Sequence, residues 1–315
     1  MKKRIGKYIF CFGLGLVISL SGCGQKSAET KKTISISGAW AIYPTAIKWA
    51  EEFKKLNPEI RIDVSAGGAG KGATDAISGL VDIGMVSRDP DPAEIQKGAF
   101  PIVILHDAVF PTMSSKNPIV AELKQKGLTK DQLADIWIAG SITSWQQISK
   151  GNSYKQMHIF TRSDACGAAA TWAKFLWNKK QEDLEGIGVY GDPGMLDAVN
   201  RDVLGIGYNN FSFVYTREGE VVSGITIIPI DANNNEKADP EEILDTRDKA
   251  KTAIEKATYP AGRKNYFFTK GKPQGLVKEF IQFALSEEGT KFVNEVGTSL
   301  PLPKADREEV IKSLE

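Results

Sequence analysis

Apolar runs that each break at a turn of small residues and then resume with helical spacing set the architecture open to this chain. Residues 33–37 alternate as a strand does, turn through 38–44, and pass into a stretch with Ala46, Ile47, Trp49, Ala50 and Phe53 on one helical face, which Asn57-Pro58 stops. A second strand at 60–64 runs into Gly67-Gly68-Ala69-Gly70-Lys71-Gly72 and a helix over 73–80, and 81–86 is a third strand. Further strands are expected at 102–105, 157–162 and 265–269. Helices are expected after a Thr129 cap, over a long amphipathic segment with Trp172, Phe175, Leu176 and Trp177, and at 275–285 and 287–296. Strands alternating with helices predict an α/β protein on a parallel sheet, whose ligands gather at the carboxyl ends of strands.

The amino terminus carries Lys2, Lys3, Arg4 and Lys7, then 13 mostly apolar residues, 8–20. That run is shorter than the ~20 residues a membrane-crossing helix needs and suits the core of a signal peptide. Leu20-Ser21-Gly22-Cys23 resembles the lipobox of bacterial lipoproteins, so residues 1–22 are expected to be removed, Cys23 to carry lipid, and 23–32 to form a flexible tether. The remaining 293 of 315 residues leave room for two domains. Losing four basic residues and no acidic ones takes the net charge from +1 to −3, which argues against a nucleic-acid partner. Cys166 would be the one free thiol of the folded body. His106 and His158 are the only histidines and no zinc spacing exists, so neither metal nor cofactor is expected. Asp75 and Asp82 are expected to pair locally, 231–240 to be a polar, acidic surface loop, and the charged runs 247–256 and 304–312 to be solvated helix faces.

Three segments share one pattern, a strand, then small residues, then a helix: Gly38-Ala39-Trp40-Ala41, residues 67–72, and Asp164-Ala165-Cys166-Gly167-Ala168. Such corners aim backbone N–H groups along the positive end of a helix dipole and form an anion seat, while small side chains let a ligand come close. The second corner is no ATP-binding P-loop, because Ser65 and Gly72 stand where that motif needs glycine and a hydroxyl residue.

The motifs Gly38-Ala39-Trp40-Ala41-Ile42-Tyr43-Pro44, residues 67–72, residues 81–88, Leu128-Thr129 through Trp145, residues 162–168, Gly205-Ile206-Gly207-Tyr208 and Tyr259-Pro260-Ala261-Gly262-Arg263 follow one another in an order that resembles the phosphate-binding solute receptors of bacterial ABC importers. The resemblance covers nearly all of 33–302. It implies a two-lobe periplasmic binding protein fold with a hinge and a ligand site between the lobes, lobe 1 from 33–112 and 259–315, lobe 2 from 113–258. It further implies a monomeric, extracytoplasmic, non-enzymatic receptor, tethered through its lipid, that hands a small anion to an ABC permease. The ligand-binding residues expected are Ala39, Trp40, Ala41, Ile42, Ala69, Gly70, Ser87, Arg162, Asp164, Cys166, Gly167 and Ala168, with Arg162 neutralising charge, or forming a salt bridge with Asp164 or Asp107.

Where the family pattern carries hydroxyls on these loops, this chain has Ala39, Trp40, Ala69, Ala165, Cys166 and Ala168. A hydrogen bond to a charged group is worth roughly 1.5–3 kcal/mol, so three lost hydroxyls would remove ~4–9 kcal/mol of anion affinity. Micromolar binding amounts to only about 8 kcal/mol. The substitutions favour a ligand with one anionic end and an apolar or polarizable body. A thiol at a helix N-terminus beside Arg162 is expected to have a lowered pKa. Two alternatives follow, a sensor subunit that uses closure to engage a signalling partner and a thiol enzyme built on Cys166.

Overall fold

The computed structural model describes residues 33–149 and 156–315; the expected signal segment, Cys23 and the tether lie outside the described residues. The amino-terminal third runs β1 (Thr33–Gly38), α1 (Tyr43–Leu56), β2 (Arg61–Ala66), α2 (Ala69–Ser78), β3 (Ile83–Val86), α3 (Pro92–Gln96) and β4 (Ala99–Ser114). There follow α4 (Val120–Lys126), β5 (Leu128–Thr129), α5 (Lys130–Trp137), β6 (His158–Arg162), α6 (Gly167–Phe175), β7 (Ile187–Val189), α7 (Gly191–Arg201) and β8 (Gly205–Asn210). The chain closes with α8 (Phe211–Val214), β9 (Ile225–Ile227), β10 (Ile230–Asp231), α9 (Arg247–Glu255), β11 (Gly262–Lys270), α10 (Gly275–Leu285), α11 (Glu287–Val296), β12 (Leu300–Pro301) and α12 (Lys304–Ser313).

The large sheet is mixed rather than purely parallel. Its order is β2-β1-β3-β11-β4-β8-β6-β7, with β9 and β12 also pairing with β4. β1 lies parallel to β2 and β3, and β6 parallel to β7 and β8, but β11 runs antiparallel to β3 and β4, and β4 antiparallel to β8. β4 is one 16-residue strand that carries Pro111 near its far end. Pro111 sits within it because its carbonyl still accepts a bond from Ile228 N–H at 2.9 Å, and only its missing N–H is lost to the ladder.

Apolar side chains gather in two cores. One takes Ile34, Ile36, Trp49 and Phe53 from the first βαβ unit together with Phe267, Phe268 and Phe280; the other takes Phe110, Trp137, Trp145, Trp172, Tyr208 and Phe211. β4 contributes Ile104 and Leu105 to the first and Ala108, Val109 and Phe110 to the second, so the strand itself is the bridge. α2 starts at Ala69, four residues earlier than expected, because Gly68 turns with φ +93° and admits the helix at once. α6 stops at Phe175, because Leu176 turns extended with ψ 103° and Trp177 follows with φ +50°, so the helix ends two residues before its apolar series does. Asp75 accepts from Ser37 Oγ at 2.6 Å and Asp82 from Ser35 Oγ at 2.9 Å, the local pairing expected of both.

Candidate functional site

Close backbone packing brings the three small-residue corners together. The N–H groups of Gly67 and Gly68 both donate to the Gly38 carbonyl, at 2.9 and 3.1 Å, and a Cβ on Gly38 would sit 2.8 Å from Gly72 Cα. The second corner meets the third through Gly70 N–H, which donates to the Ala165 carbonyl at 3.0 Å. A Cβ on Gly68 would lie 2.7 Å from that carbonyl, and one on Gly167 would collide with the backbone of Ser87. Glycine is therefore required here by approach distance, and contacts from both cores meet at one place.

The amides divide into used and unused. Ile42 N–H is taken by the Ala39 carbonyl at 3.2 Å and Gly70 N–H by Ala165, whereas those of Ala41, Ala69, Gly167 and Ala168 have no partner among the described residues. The last three lie in the first turns of α2 and α6, where a helix leaves its donors free and its dipole positive.

A chain of buried polar groups backs this face. Arg162, at the end of β6, donates through Nε and Nη2 to Asp164 at 2.8 and 2.6 Å and through Nη1 to Asp192. Asp192 also accepts from Asn210 Nδ2 at 2.6 Å; Asn210 Oδ1 accepts from Arg263 Nη2, which pairs with Asp107 at 2.6 Å. The salt bridge of Arg162 is thus with Asp164 and Asp192, and Asp107 belongs to Arg263. Burial works against the Arg162 charge, yet Asp192 and Asp164 outweigh it and hold the guanidinium above its ordinary range. Burial pushes the Asp192 carboxyl up, and Arg162 and Arg263 offset part of that. Arg263, whose Nε is buried without a partner among the described residues, lines a cleft of about 540 Å³ together with Arg88, Lys130, Thr171, Lys174 and Phe175.

The sequence model of the PBP superfamily domain matches residues 24–288. The chain belongs to the PBP superfamily. Members of this family are substrate-binding receptors for transport rather than enzymes, and the fold is that of the periplasmic binding proteins. Among relatives, the phosphate-binding protein PstS of Bacillus subtilis is 27% identical over 278 residues, covering 87% of this chain and 82% of that protein. A PstS of Methanocaldococcus jannaschii is likewise 27% identical over 304 residues, covering 82% and 75%. A Clostridium perfringens structure described as a phosphate ABC transporter substrate-binding protein with bound phosphate superposes with a TM-score of 0.70 at 25% identity, covering 86% of this chain and all of that one.

Within this PBP superfamily chain, Cys166 departs from expectation. Its thiol is 5% exposed, and burial pushes it up to about 12 against the pull of Arg162, so it is a protonated thiol and not a thiolate. The sulfur caps α6 by accepting from Ala169 N–H at 3.4 Å, and Cys166 N–H donates to Gln181 Oε1 at 3.0 Å. With the family's function that removes the thiol-enzyme alternative. Trp40 stands edge-on to Tyr43 and Tyr190, at ring separations of 6.3 and 6.4 Å, and covers Gly191 at the start of α7, so it spans from the first corner to the second core's side. Ala39, Ser87 and Asp164 lie in the same neighbourhood: Ala39 N–H donates to the Met85 carbonyl at 2.8 Å, Ser87 packs on Gly167, and Asp164 accepts from Gly191 N–H at 3.1 Å. Asp192, Asn210 and Arg263 were not among the expected ligand residues. Asp192 had a readable signal, since Tyr190-Gly191-Asp192-Pro193 follows β7 and opens α7 with the same strand-small residue-helix pattern.

Proposed function

We propose that this PBP superfamily chain is an extracytoplasmic receptor that captures a small anion between two lobes and delivers it to an ABC permease. The observation that carries the reading is the meeting of corners from both cores, with the free amides of Ala69, Gly167 and Ala168 beside Arg162. The names of the relatives support an oxyanion, and the signal-like residues 1–22 with Cys23 support a lipid-tethered protein outside the cytoplasm. Monomeric action is part of the proposal. So is the division into 33–112 with 259–315 and 113–258; the presence of two cores supports two lobes, while the cores change over within β4 between Leu105 and Ala108, and Tyr259, Ala261 and Leu300 pack with the second core.

The proposed ligand set is Ala39, Trp40, Ala41, Ile42, Ala69, Gly70, Ser87, Arg162, Asp164, Cys166, Gly167 and Ala168, with the free N–H groups as donors and Trp40 and Cys166 shaping the cavity. Because Arg162 is already balanced by Asp164 and Asp192, capture rests on amide dipoles rather than net charge. The carboxylates favour a ligand that still carries an O–H to donate. The missing hydroxyls on the loops favour an anionic head on an apolar or polarizable body over inorganic phosphate. Calorimetric titration against inorganic phosphate, carboxylates, organophosphonates and aromatic acids tests this. An organic anion should bind more tightly than phosphate. Sub-micromolar phosphate with no organic binder would remove the organic-anion part and leave the receptor, and no binder in any class would remove both.

A further inference from the structure

The twelve residues 231–242 read Asp-Ala-Asn-Asn-Asn-Glu-Lys-Ala-Asp-Pro-Glu-Glu. Oxygen-bearing side chains occupy places 1, 3, 5, 9 and 12 as Asp231, Asn233, Asn235, Asp239 and Glu242, with a main-chain carbonyl at place 7, Lys237. That is the ligand order of a helix-loop-helix calcium loop, in which place 12 is a bidentate glutamate. Glu236 takes the place usually given to glycine, and it adopts the left-handed backbone that the glycine normally provides, φ +58°.

Hydrogen bonds link the neighbours in this set. Both Asn233 Nδ2 and Asn235 Nδ2 reach the same oxygen of Asp239, at 2.8 and 3.0 Å, and Glu242 accepts from the N–H groups of Ala232 and Asp239 at 2.8 and 3.0 Å. A second observation, independent of this spacing, points to a cation. Asp231 is only 2% exposed, and among the described residues no lysine or arginine pairs with it, with Asp239 or with Glu242. Its oxygens receive only the amides of Asn235 and Glu236, at 3.1 and 2.9 Å. Two main-chain amides and, among the described residues, no counter-charge face this buried carboxylate, and a bound cation would supply the missing positive charge. No three His, Cys, Asp or Glu side chains among the described residues are gathered closely enough to hold a metal alone. Here two asparagines and a carbonyl complete the set.

We infer that residues 231–242 bind Ca²⁺ through Asp231, Asn233, Asn235, the Lys237 carbonyl, Asp239 and Glu242. All six donors are oxygen, which suits a hard cation, and a loop of this length surrounds Ca²⁺ with six to eight ligands, whereas Mg²⁺ demands a tighter octahedron. With three carboxylates rather than four or five, the affinity belongs on the order of 10⁻⁴ M, the range of extracellular modules. The ion would pin the end of β10, paired with β5, to the approach to α9, and the loop is already docked there through Ala238 N–H on the Gln125 carbonyl at 2.7 Å.

The test uses the full chain stripped with chelator and titrated with CaCl₂ and separately with MgCl₂ by calorimetry, with a melting curve at each point. One Ca²⁺ site is expected, a rise of several degrees in Tm at saturation, and at least about tenfold weaker Mg²⁺ binding. Glu242→Gln and, independently, Asn235→Ala should each weaken Ca²⁺ at least about tenfold while leaving the metal-free Tm near the parent's. The inference is overturned if the parent gives neither heat nor a Tm shift at about 10 mM Ca²⁺, if Mg²⁺ acts equally, or if both variants bind as the parent does. A variant that fails to fold leaves the parent's titration as the deciding result.

Discussion

Arg162 and Arg263 belong to one buried chain of hydrogen bonds that ends at Asp164 and Asp107, and they are held in opposite ways. Arg162 spends three donors on two carboxylates, Asp164 and Asp192; Arg263, which lines the 540 Å³ cleft, faces one carboxylate, Asp107, and keeps a buried Nε with no acceptor among the described residues. The loop side is therefore electrically settled before any ligand arrives, while the cleft side holds an unused donor. Two ion pairs tie Arg162 into the fold, whereas Arg263 has one and a donor left over. The sharpest way to break this contrast is to remove Arg162. Arg162→Met leaves Asp192 buried at 1% exposure without its principal cation, and breaking such a pair costs about 3–5 kcal/mol. Urea unfolding should show that loss, and adding Asp192→Asn should restore a good part of it. A loss below about 1 kcal/mol would mean that Arg162 is not structural.

The complementary change, Arg263→Lys, keeps a positive charge near Asp107 but removes the planar fork and its Nε. Affinity for the anion found by titration is expected to fall about 10–100-fold, corresponding to a charged hydrogen bond of roughly 1.5–3 kcal/mol, with a smaller change in Tm than Arg162→Met produces. Unchanged affinity would confine recognition to the loops and erase the distinction between the two arginines.

Local chemistry was legible in the sequence, and pairings made across it were not. α10 and α11 have the bounds their apolar spacing gives, and Thr129 caps α5 with Gln132 in a reciprocal box. The three corners were legible because glycine and alanine between strand and helix have few other uses. Arg263 was visible as a motif residue, but its partner Asp107 is fixed by the antiparallel register of β11 on β4, which places Arg263 opposite Asp107 across 156 residues. Cys166 shows the same boundary in another form. Its place at a helix N-terminus beside an arginine was readable and argues for a thiolate, but burial, which the sequence does not display, decides its charge the other way.

Two glycines separate stability from closure at a scale below the arginines. Gly72→Ala drives a Cβ into the Met85 carbonyl within the first core, and overpacking of this kind costs about 1–3 kcal/mol of stability. Gly167→Ala drives one into the Ser87 backbone, where the side of the second core meets that of the first. It is expected to lower ligand affinity about tenfold, or about 1.4 kcal/mol, with a smaller drop in Tm than Gly72→Ala. Equal losses of Tm from both would show that the Ser87–Gly167 contact belongs to the static core and not to a closing surface.

The effect that is smallest near neutral pH concerns Cys166, which sits on the loop side of the comparison and tests how settled that side is. Burial holds its folded pKa at about 12, against roughly 8.5 for an exposed cysteine. For a group whose folded pKa is raised, the stabilisation is whole below the unfolded value and is lost as pH climbs through the folded one. Stability should therefore decline between about pH 8.5 and 12 in the parent, and that part of the decline should vanish in Cys166→Ser. The native thiol should react with a disulfide reagent at pH 8 far more slowly than in urea, because only opening exposes it. Cys166→Ser also returns one hydroxyl to the corner, and its gain in inorganic-phosphate affinity should not exceed about tenfold, since Ala39, Ala69 and Ala168 still offer none. A larger gain would place the selectivity of the site in that single sulfur, and a fast-reacting native thiol would show that the loop side is open where its packing says it is closed.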